Sequence, residues 1–478
     1  MPALRVALPP SLLAREAGLL DLDGLRAELE APGAFPPEAL AEAERAARSP
    51  RLPELDRTDL PMITIDPPGS MDLDQALHLE RSADGFRVWY AIADVGAFVD
   101  AGGALDAELS ARGVTLYAPD VRVPLHPPVL GEDAASLLPG QVRPALLWQL
   151  DLDGEGRLVD TGVQRSLVRS RERLTYDEVQ TKVDAGTAGP VLGLLQEIGE
   201  LRQARSRERD AVDLPTPDQE VVLDARGRPE LVLRAPLPCE GWNAQLSLLT
   251  GTAAAALMLS GSVGLLRTLP PPEPDAVASL RRSALALEID WPEGTSYGDV
   301  VSGLDARVPE HAALLTLATR LLRGAGYTAF DGQAPEQPLH SAVALPYAHC
   351  TAPLRRLADR HVGEVCLALA AGTAVPDWAR SALPLLPEVM AGATRRASAF
   401  ERAVVDAAEA VVLAPRVGER FDAVVVESGP KGGAVQLHSP PVRARCEGAD
   451  LPLGQAVTVE LVTADPVART VQFRLAAP

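Results

Sequence analysis

The chain has 478 residues, 47% apolar and 23% charged, the balance of a soluble globular protein with core enough for several domains. Its formal net charge of −20 excludes non-specific duplex binding through a uniformly basic face, although a local groove on an acidic body can still be positive. Four widely spaced cysteines, Cys239, Cys350, Cys366 and Cys446, form no C-x-x-C pair, which excludes a zinc site or disulfide framework and predicts free thiols in a reducing cytoplasm.

Taken in chain order, residues 1–58 predict short helices punctuated by Pro and Gly. Pro9-Pro10-Ser11 can open a helix that Gly18 ends, Leu22 to Leu29 suggests a second, and Pro36-Pro37 opens a third through Ala47. That outline fits a helix-turn-helix and equally any three-helix cap, and the N-terminus lacks the apolar run of a signal peptide. From Asp59 strands and helices alternate. Pro61 to Ile65 is apolar and extended, and Ala76–Glu80 with Phe86–Asp94 predict a hairpin across Ser82-Ala-Asp-Gly85. Gly241 to Leu266 carries no charge, but its Ser, Thr and Gly content gives a poor membrane-insertion profile, so it reads as buried helices. Val389, Ala393, Ala397, Phe400, Val404 and Val411 recur at helical spacing and predict a long amphipathic helix. The tail from Val417 is all short strands: Phe421–Glu427, Gly433–Leu437, Val442–Cys446, Val457–Thr463 and Thr470–Leu475. Five such strands suit a small OB-type barrel. The expected fold class is α+β and multidomain, with a helical N-terminal unit (1–58), a central α/β unit (59–410) and a C-terminal β-barrel (411–478).

Chemistry concentrates in Thr64-Ile-Asp-Pro-Pro-Gly-Ser-Met-Asp-Leu-Asp-Gln-Ala76, where Asp66, Asp72 and Asp74 crowd around a Pro-Pro-Gly break. Two carboxylates about 4 Å apart repel by roughly 4 kcal/mol at an effective dielectric near 20. A hard divalent cation such as magnesium prefers carboxylate oxygens and removes that repulsion. A solvated acidic turn is the plainer alternative.

This stretch resembles the signature of the RNB exoribonuclease family, which includes ribonuclease II and ribonuclease R and reads roughly T-I-D, a short spacer, then D-x-D-D-A. Asp66, Asp72 and Asp74 occupy three of the four acidic positions, and Gln75 stands in the fourth. Further matches follow in order. Arg112 to Pro119, with Val123 to Pro127, resembles S-x-Y-L-P…P-M-L-P, and Ser136 to Arg143 resembles S-L-x-P-x-x-x-R. Arg173 to Asp177 resembles L-x-Y-D, and Tyr347 to Asp359 resembles Y-x-H-F-T-S-P-I-R-R-Y-x-D. The central unit is thereby identified as an RNB catalytic domain, and the tail is similar to the RNA-binding barrel that closes ribonuclease II chains. The small cold-shock barrels with which relatives often begin have no strand periodicity to match them in residues 1–58.

The resemblance implies processive hydrolysis of single-stranded RNA from its 3′ end to 5′-mononucleotides by a monomeric, cytoplasmic enzyme with no membrane partner. It implies magnesium, or manganese in its place, held at the scissile phosphate by Asp66, Asp72 and Asp74. Asp74 matches the aspartate most closely tied to the chemical step. Arg355 matches the first of the family's paired arginines, whose guanidinium can grip phosphate oxygens; a surface pair with Asp359 is its plainer reading. Arg356 matches the second arginine, as a structural or secondary phosphate contact. Tyr117 matches an aromatic that packs the 3′-terminal base, with core burial as the alternative. Tyr176 matches a tyrosine near the terminal ribose, where a hydroxyl can read the 2′-OH. His349 and Tyr347 are expected to brace the arginine loop. Two departures stand out. Gln75 brings a neutral amide where the family has a carboxylate, which predicts a weaker second metal and a higher magnesium requirement. The family's acidic pair before a helix appears as Trp242-Asn243, with Glu240 upstream, which weakens the expected ribose contact from that side. A catalytically weak RNA-binding protein that retains the RNB body is the rival reading.

Overall fold

The computed structural model describes residues 6–7, 22–117, 122–223 and 229–476. Its centre is a closed five-stranded barrel built from Met62–Ile65, Gln75–Arg81, Gly85–Ala93, Val142–Asp153 and Leu158–Leu174. The expected hairpin is present, in register from Gln75↔Ile92 to Arg81↔Phe86. Closure comes from Met62–Ile65 pairing parallel with the far end of Leu158–Leu174, a contact across about a hundred residues that no local pattern announces. Tyr90, Ile92, Trp148 and Leu150 are fully buried, because helices cover the barrel and leave little of these strands in water.

Three helices form that cover. Pro238–Ser260 packs against Gly189–Glu208 and Leu357–Ala370. It is apolar all round and accordingly buried, with Leu246, Leu249, Ala254 and Met258 at 0% exposure. Gly251 has no room for a side chain, since a Cβ would lie 2.2 Å from the Tyr347 ring. That close approach lets the segment around Tyr347 dock on the helix, with Ala348 N–H donating to the Gly251 carbonyl at 3.1 Å. The uncharged run was expected to be helical to Leu266. Its last residues instead form the strand Val263–Thr268, paired with Gly326–Asp331, after Ser262 turns the chain at a φ of 55°. Among the described residues no helix is long and apolar enough to cross a membrane.

The N-terminal segment is not wholly helical. Val6–Ala7 pairs parallel with Asp218–Leu223, whereas the helix expected over Pro9–Gly18 lies outside the described residues. Leu22–Glu28 and Pro37–Arg48 are helices as expected, and the helix-turn-helix outline across Gly18 needs a first helix that lies outside the described residues. Leu22 and Leu25 join the apolar core of the C-terminal barrel, while Ala39 and Ala43 join the central core. The two helices thus bury their apolar residues in the cores of different units.

The tail strands Arg420–Gly429, Gly432–Leu437, Arg443–Glu447, Ala456–Asp465 and Thr470–Leu475 close into a second barrel. The long helix Leu386–Leu413 leads into it. Leu386 and Met390 belong to the central core, whereas Phe400, Val404 and Val411 belong to the barrel core, so the division at residue 410 falls inside one continuous helix. Architecture is mixed helix and strand throughout, with the second barrel of OB type.

Candidate functional site

The acidic loop leaves the strand Met62–Ile65 through a turn of defined type. Pro68 and Gly69 occupy its centre, Gly69 has a φ of 77°, and Ser70 N–H donates to the Pro67 carbonyl at 3.2 Å. Pro followed by a positive-φ Gly is the requirement of a type II turn. Asp66 stays fixed to the barrel, its N–H donating to the Leu174 carbonyl at 3.0 Å. Ser136 holds the loop from behind. Its hydroxyl donates to the Met71 carbonyl at 2.6 Å and accepts from Leu73 N–H at 2.9 Å. The S-L-x-P segment is thus a clamp on the loop, a role that sequence reasoning did not assign.

The segment from Tyr347 to Asp359 meets this loop from the other side. Leu354 N–H donates to Asp74 Oδ1 at 2.8 Å, and Arg355 Nε stands 3.4 Å from Asp74 Oδ2. Asp74 is 5% exposed. Burial pushes its carboxyl up to about 8, against the pull of Arg355 and the Leu354 N–H. Asp66 is pushed up to about 7, again chiefly by burial, with Arg355 opposing and Asp72 adding to the rise. For Arg355 burial opposes the charge, but Asp74, Tyr117 and Asp359 together offset it and raise the guanidinium above its ordinary value. A pair of carboxyls that resist ionisation beside one guanidinium is a site short of positive charge.

Arg355 does not pair with Asp359. Arg356 does, as a two-pronged fork at 3.0 and 2.8 Å, while Asp359 also accepts from Ala352 N–H at 2.7 Å. Arg356 therefore braces the loop, and Arg355 is left facing the carboxylates. His349 and Tyr347 belong to the same brace. His349 Nδ1 is 2.7 Å from the Tyr327 hydroxyl and its ring stands edge-on to Tyr347. Burial and the nearby Arg356 and Arg267 hold His349 well below its ordinary value, hence neutral.

Asp72 and Gln75 each have partners within the protein. Asp72 forms an ion pair with Arg122, which also reaches Glu132 at 3.0 Å, and accepts from the Tyr117 hydroxyl at 3.5 Å. Arg122 drew no attention in the sequence because an isolated arginine on a loop has no pattern. Gln75 uses both ends of its amide: Nε2 donates to the Thr351 carbonyl at 2.6 Å, and Oε1 accepts from the buried Tyr90 hydroxyl. It ties the barrel to the arginine loop. Among the described residues no three His, Cys, Asp or Glu side chains converge as a ready-made metal cluster. Asp66 and Asp74 nevertheless have the right chemistry for a divalent cation, since Asp66 Oδ2 is buried without a hydrogen-bond partner. Magnesium commonly takes one or two carboxylates and fills its shell with water and substrate phosphate.

Tyr117 is half-buried at the edge of this cluster, with its hydroxyl toward Asp72. Tyr176 is brought to the site by a capping box that starts its helix, Thr175 accepting from Glu178 N–H. Its hydroxyl accepts from Asn243 Nδ2 at 3.2 Å, and burial pushes the phenol up to about 12. Trp242 is 5% exposed and packs in the core, and Glu240 pairs with Arg234, so of that group only Asn243 reaches Tyr176. A groove of about 620 Å³ lined by Met71, Asp133, Leu138, Arg143 and Arg173, in which Arg143 is 2.9 Å from Asp133, opens beside the acidic loop.

An RNB domain model matches residues 55–369, and a model of the RNase II-type exonuclease C-terminal S1 domain matches residues 419–476. The chain is 29% identical over 322 residues to an exosome complex exonuclease RRP44 homolog A of Arabidopsis thaliana, covering 64% of this chain and 34% of that protein. It thus spans about a third of that relative's length. Its fold is similar to that of Mycoplasma genitalium RNase R in complex with ribose methylated single-stranded RNA, with a TM-score of 0.81 at 19% identity, over 95% of this chain and 78% of the other. It is also similar to yeast Ssd1, a pseudonuclease, with a TM-score of 0.65 at 20% identity, over 89% of this chain and 53% of the other.

Proposed function

Because this chain belongs to the RNB family, we propose that it is a magnesium-dependent, processive 3′→5′ exoribonuclease that releases 5′-mononucleotides, with manganese able to replace magnesium. The observation that carries this reading is Asp74 bound at once to Leu354 N–H and beside Arg355, groups 280 residues away along the chain. A magnesium ion held by Asp66 and Asp74, with Asp72 near them, would lower the pKa of an attacking water and offset charge on the phosphate. Arg355, steered by Asp74, would grip a non-bridging phosphate oxygen and stabilise charge that builds there. Tyr117 would support the 3′-terminal base, a contact that tolerates any base. Since the Tyr176 oxygen already accepts from Asn243, its own proton is free to donate to a ribose 2′-OH. Single-stranded RNA would enter along the groove that Arg143 and Arg173 line. The enzyme would act as a monomer in the cytoplasm, where its four buried cysteines stay free thiols.

The test is end-labelled single-stranded RNA with magnesium. Stepwise 3′ shortening to mononucleotides, reduced at least about a hundredfold in Asp74→Asn, is the expected result. In Tyr117→Ala the resistant end product should lengthen; an unchanged length would remove Tyr117 from the base contact. A second reading, an RNA-binding protein with weak catalysis, draws on the occupied amide of Gln75, the Asp72–Arg122 pair and the likeness in fold to a pseudonuclease. Tight RNA binding without shortening at any magnesium or manganese concentration would favour it.

A further inference from the structure

A second cavity, of about 530 Å³, lies at the far end of the helix Pro238–Ser260. Its apolar floor is made by Leu158, Ala256, Leu259 and Pro346. Ala256 is thirteen residues from Asn243 on that helix, about 20 Å at 1.5 Å per residue, so the cavity is separate from the site described above.

The walls are Arg157, Arg202, Arg205 and Arg209 with the carboxylate of Glu208 among them, and the arginines have unequal partners. Arg157 is 2.6 Å from Glu155, and Arg205 is 2.8 Å from Glu208, so both are neutralised. Arg202 and Arg209 are not. Arg202 is 6% exposed, donates to the Gly156 carbonyl at 3.0 Å, and keeps its Nε buried without a partner. Arg209 donates to the Val343 carbonyl and the Ser206 hydroxyl, each at 2.9 Å. Among the described residues neither has a carboxylate within ion-pair distance, in contrast to Arg356, which forks onto Asp359, and Arg165, which reaches both Asp94 and Glu364. Burial, then Arg209 and Arg205, depress Arg202 to about 10, the direction expected of a cation without a counter-ion. Two uncompensated guanidiniums over an apolar floor call for a ligand with two negative charges at one end and an uncharged body at the other.

We infer that this cavity binds a phosphomonoester with a compact apolar or planar body, its dianionic head between Arg202 and Arg209 and its body on Leu158, Ala256, Leu259 and Pro346. A carboxylate would supply one charge and leave the second guanidinium unmatched.

Isothermal titration of the full chain with phenyl phosphate, in EDTA, tests this. One site is expected, with a Kd on the order of 100 µM. Ala256→Trp, which fills the cavity from an exposed helix position, and Arg202→Met should each weaken binding at least about tenfold, with folding checked by circular dichroism. Asp74→Asn should leave the affinity unchanged, and inorganic phosphate should bind at least about tenfold more weakly because it lacks the body. Absence of binding at millimolar phenyl phosphate, affinity that survives Ala256→Trp, loss of affinity in Asp74→Asn, or equal affinity for inorganic phosphate would each overturn the proposal.

Discussion

Gln75 turns a departure in the sequence into a structural part. Its amide donates to the Thr351 carbonyl and accepts from the Tyr90 hydroxyl, so it connects a barrel strand to the loop that presents Arg355. A carboxylate at this position has no proton for Thr351 at neutral pH and would set two oxygens against each other. Gln75→Glu should therefore lose about 1–3 kcal/mol of stability, read as a lower Tm in EDTA. Were Gln75 instead an ion ligand, Gln75→Glu would leave the Tm in EDTA unchanged and enlarge the rise produced by magnesium. Those two outcomes are opposite, and thermal unfolding with and without magnesium separates them.

At the scale of elements, the helix Leu386–Leu413 carries a buried carboxyl, Glu409, into the junction with the second barrel. Gln219 donates to it at 3.1 Å, but burial dominates and pushes the group up to about 8. The folded state then holds a proton that the unfolded state releases between its ordinary value of 4.5 and about 8. Stability from this group falls as pH rises through that window and is flat above it. Glu409→Gln keeps an acceptor for Gln219 and removes the charge. It should raise the Tm at pH 8 and flatten the decline between pH 5 and pH 8; an unchanged slope would mean that Glu409 is not the titrating group. The position of Glu409 was invisible in sequence, where the apolar spacing of Phe400, Val404 and Val411 announced the helix but not what its polar residue would meet. The same division runs through the whole chain. Hairpins and tail strands were legible because turn residues and period-two patterns are local, as at Ser82-Ala-Asp-Gly85. Asp66, Asp74 and Arg355 were legible as members of a motif. Ser136, Arg122 and the partner of Gln75 were not, because each acts through a contact made only when distant segments meet. The end of the uncharged run misled for a related reason. Val263–Leu266 is apolar on both faces, as a buried helix would be, and only the pairing of Val263–Thr268 with Gly326–Asp331 makes it a strand.

On the scale of the whole molecule, the second barrel is held by both faces of one strand. In Arg420–Gly429 the side chain of Val425 fills the barrel interior, while Val424 and Val426 join a separate apolar cluster with Leu280, Leu314 and Leu317. Alternation along a strand sends neighbours to opposite sides, so this one strand closes the barrel and fastens the helices Pro274–Ala286 and Pro309–Ala318 to it. Val426 is 3% exposed, and burying a valine is worth about 1.5–3 kcal/mol, to which an unpaired charge in the same place adds a further penalty. Val426→Lys should consequently release those helices while leaving the barrel interior intact. Hydrogen exchange followed by mass spectrometry would show protection lost across 274–322 and retained at Val425 and Val459, whereas Val425→Lys would expose the barrel strands as well. Equal loss of protection in helices and barrel for Val426→Lys would mean that the two clusters unfold as one cooperative unit rather than as layers joined along a single strand.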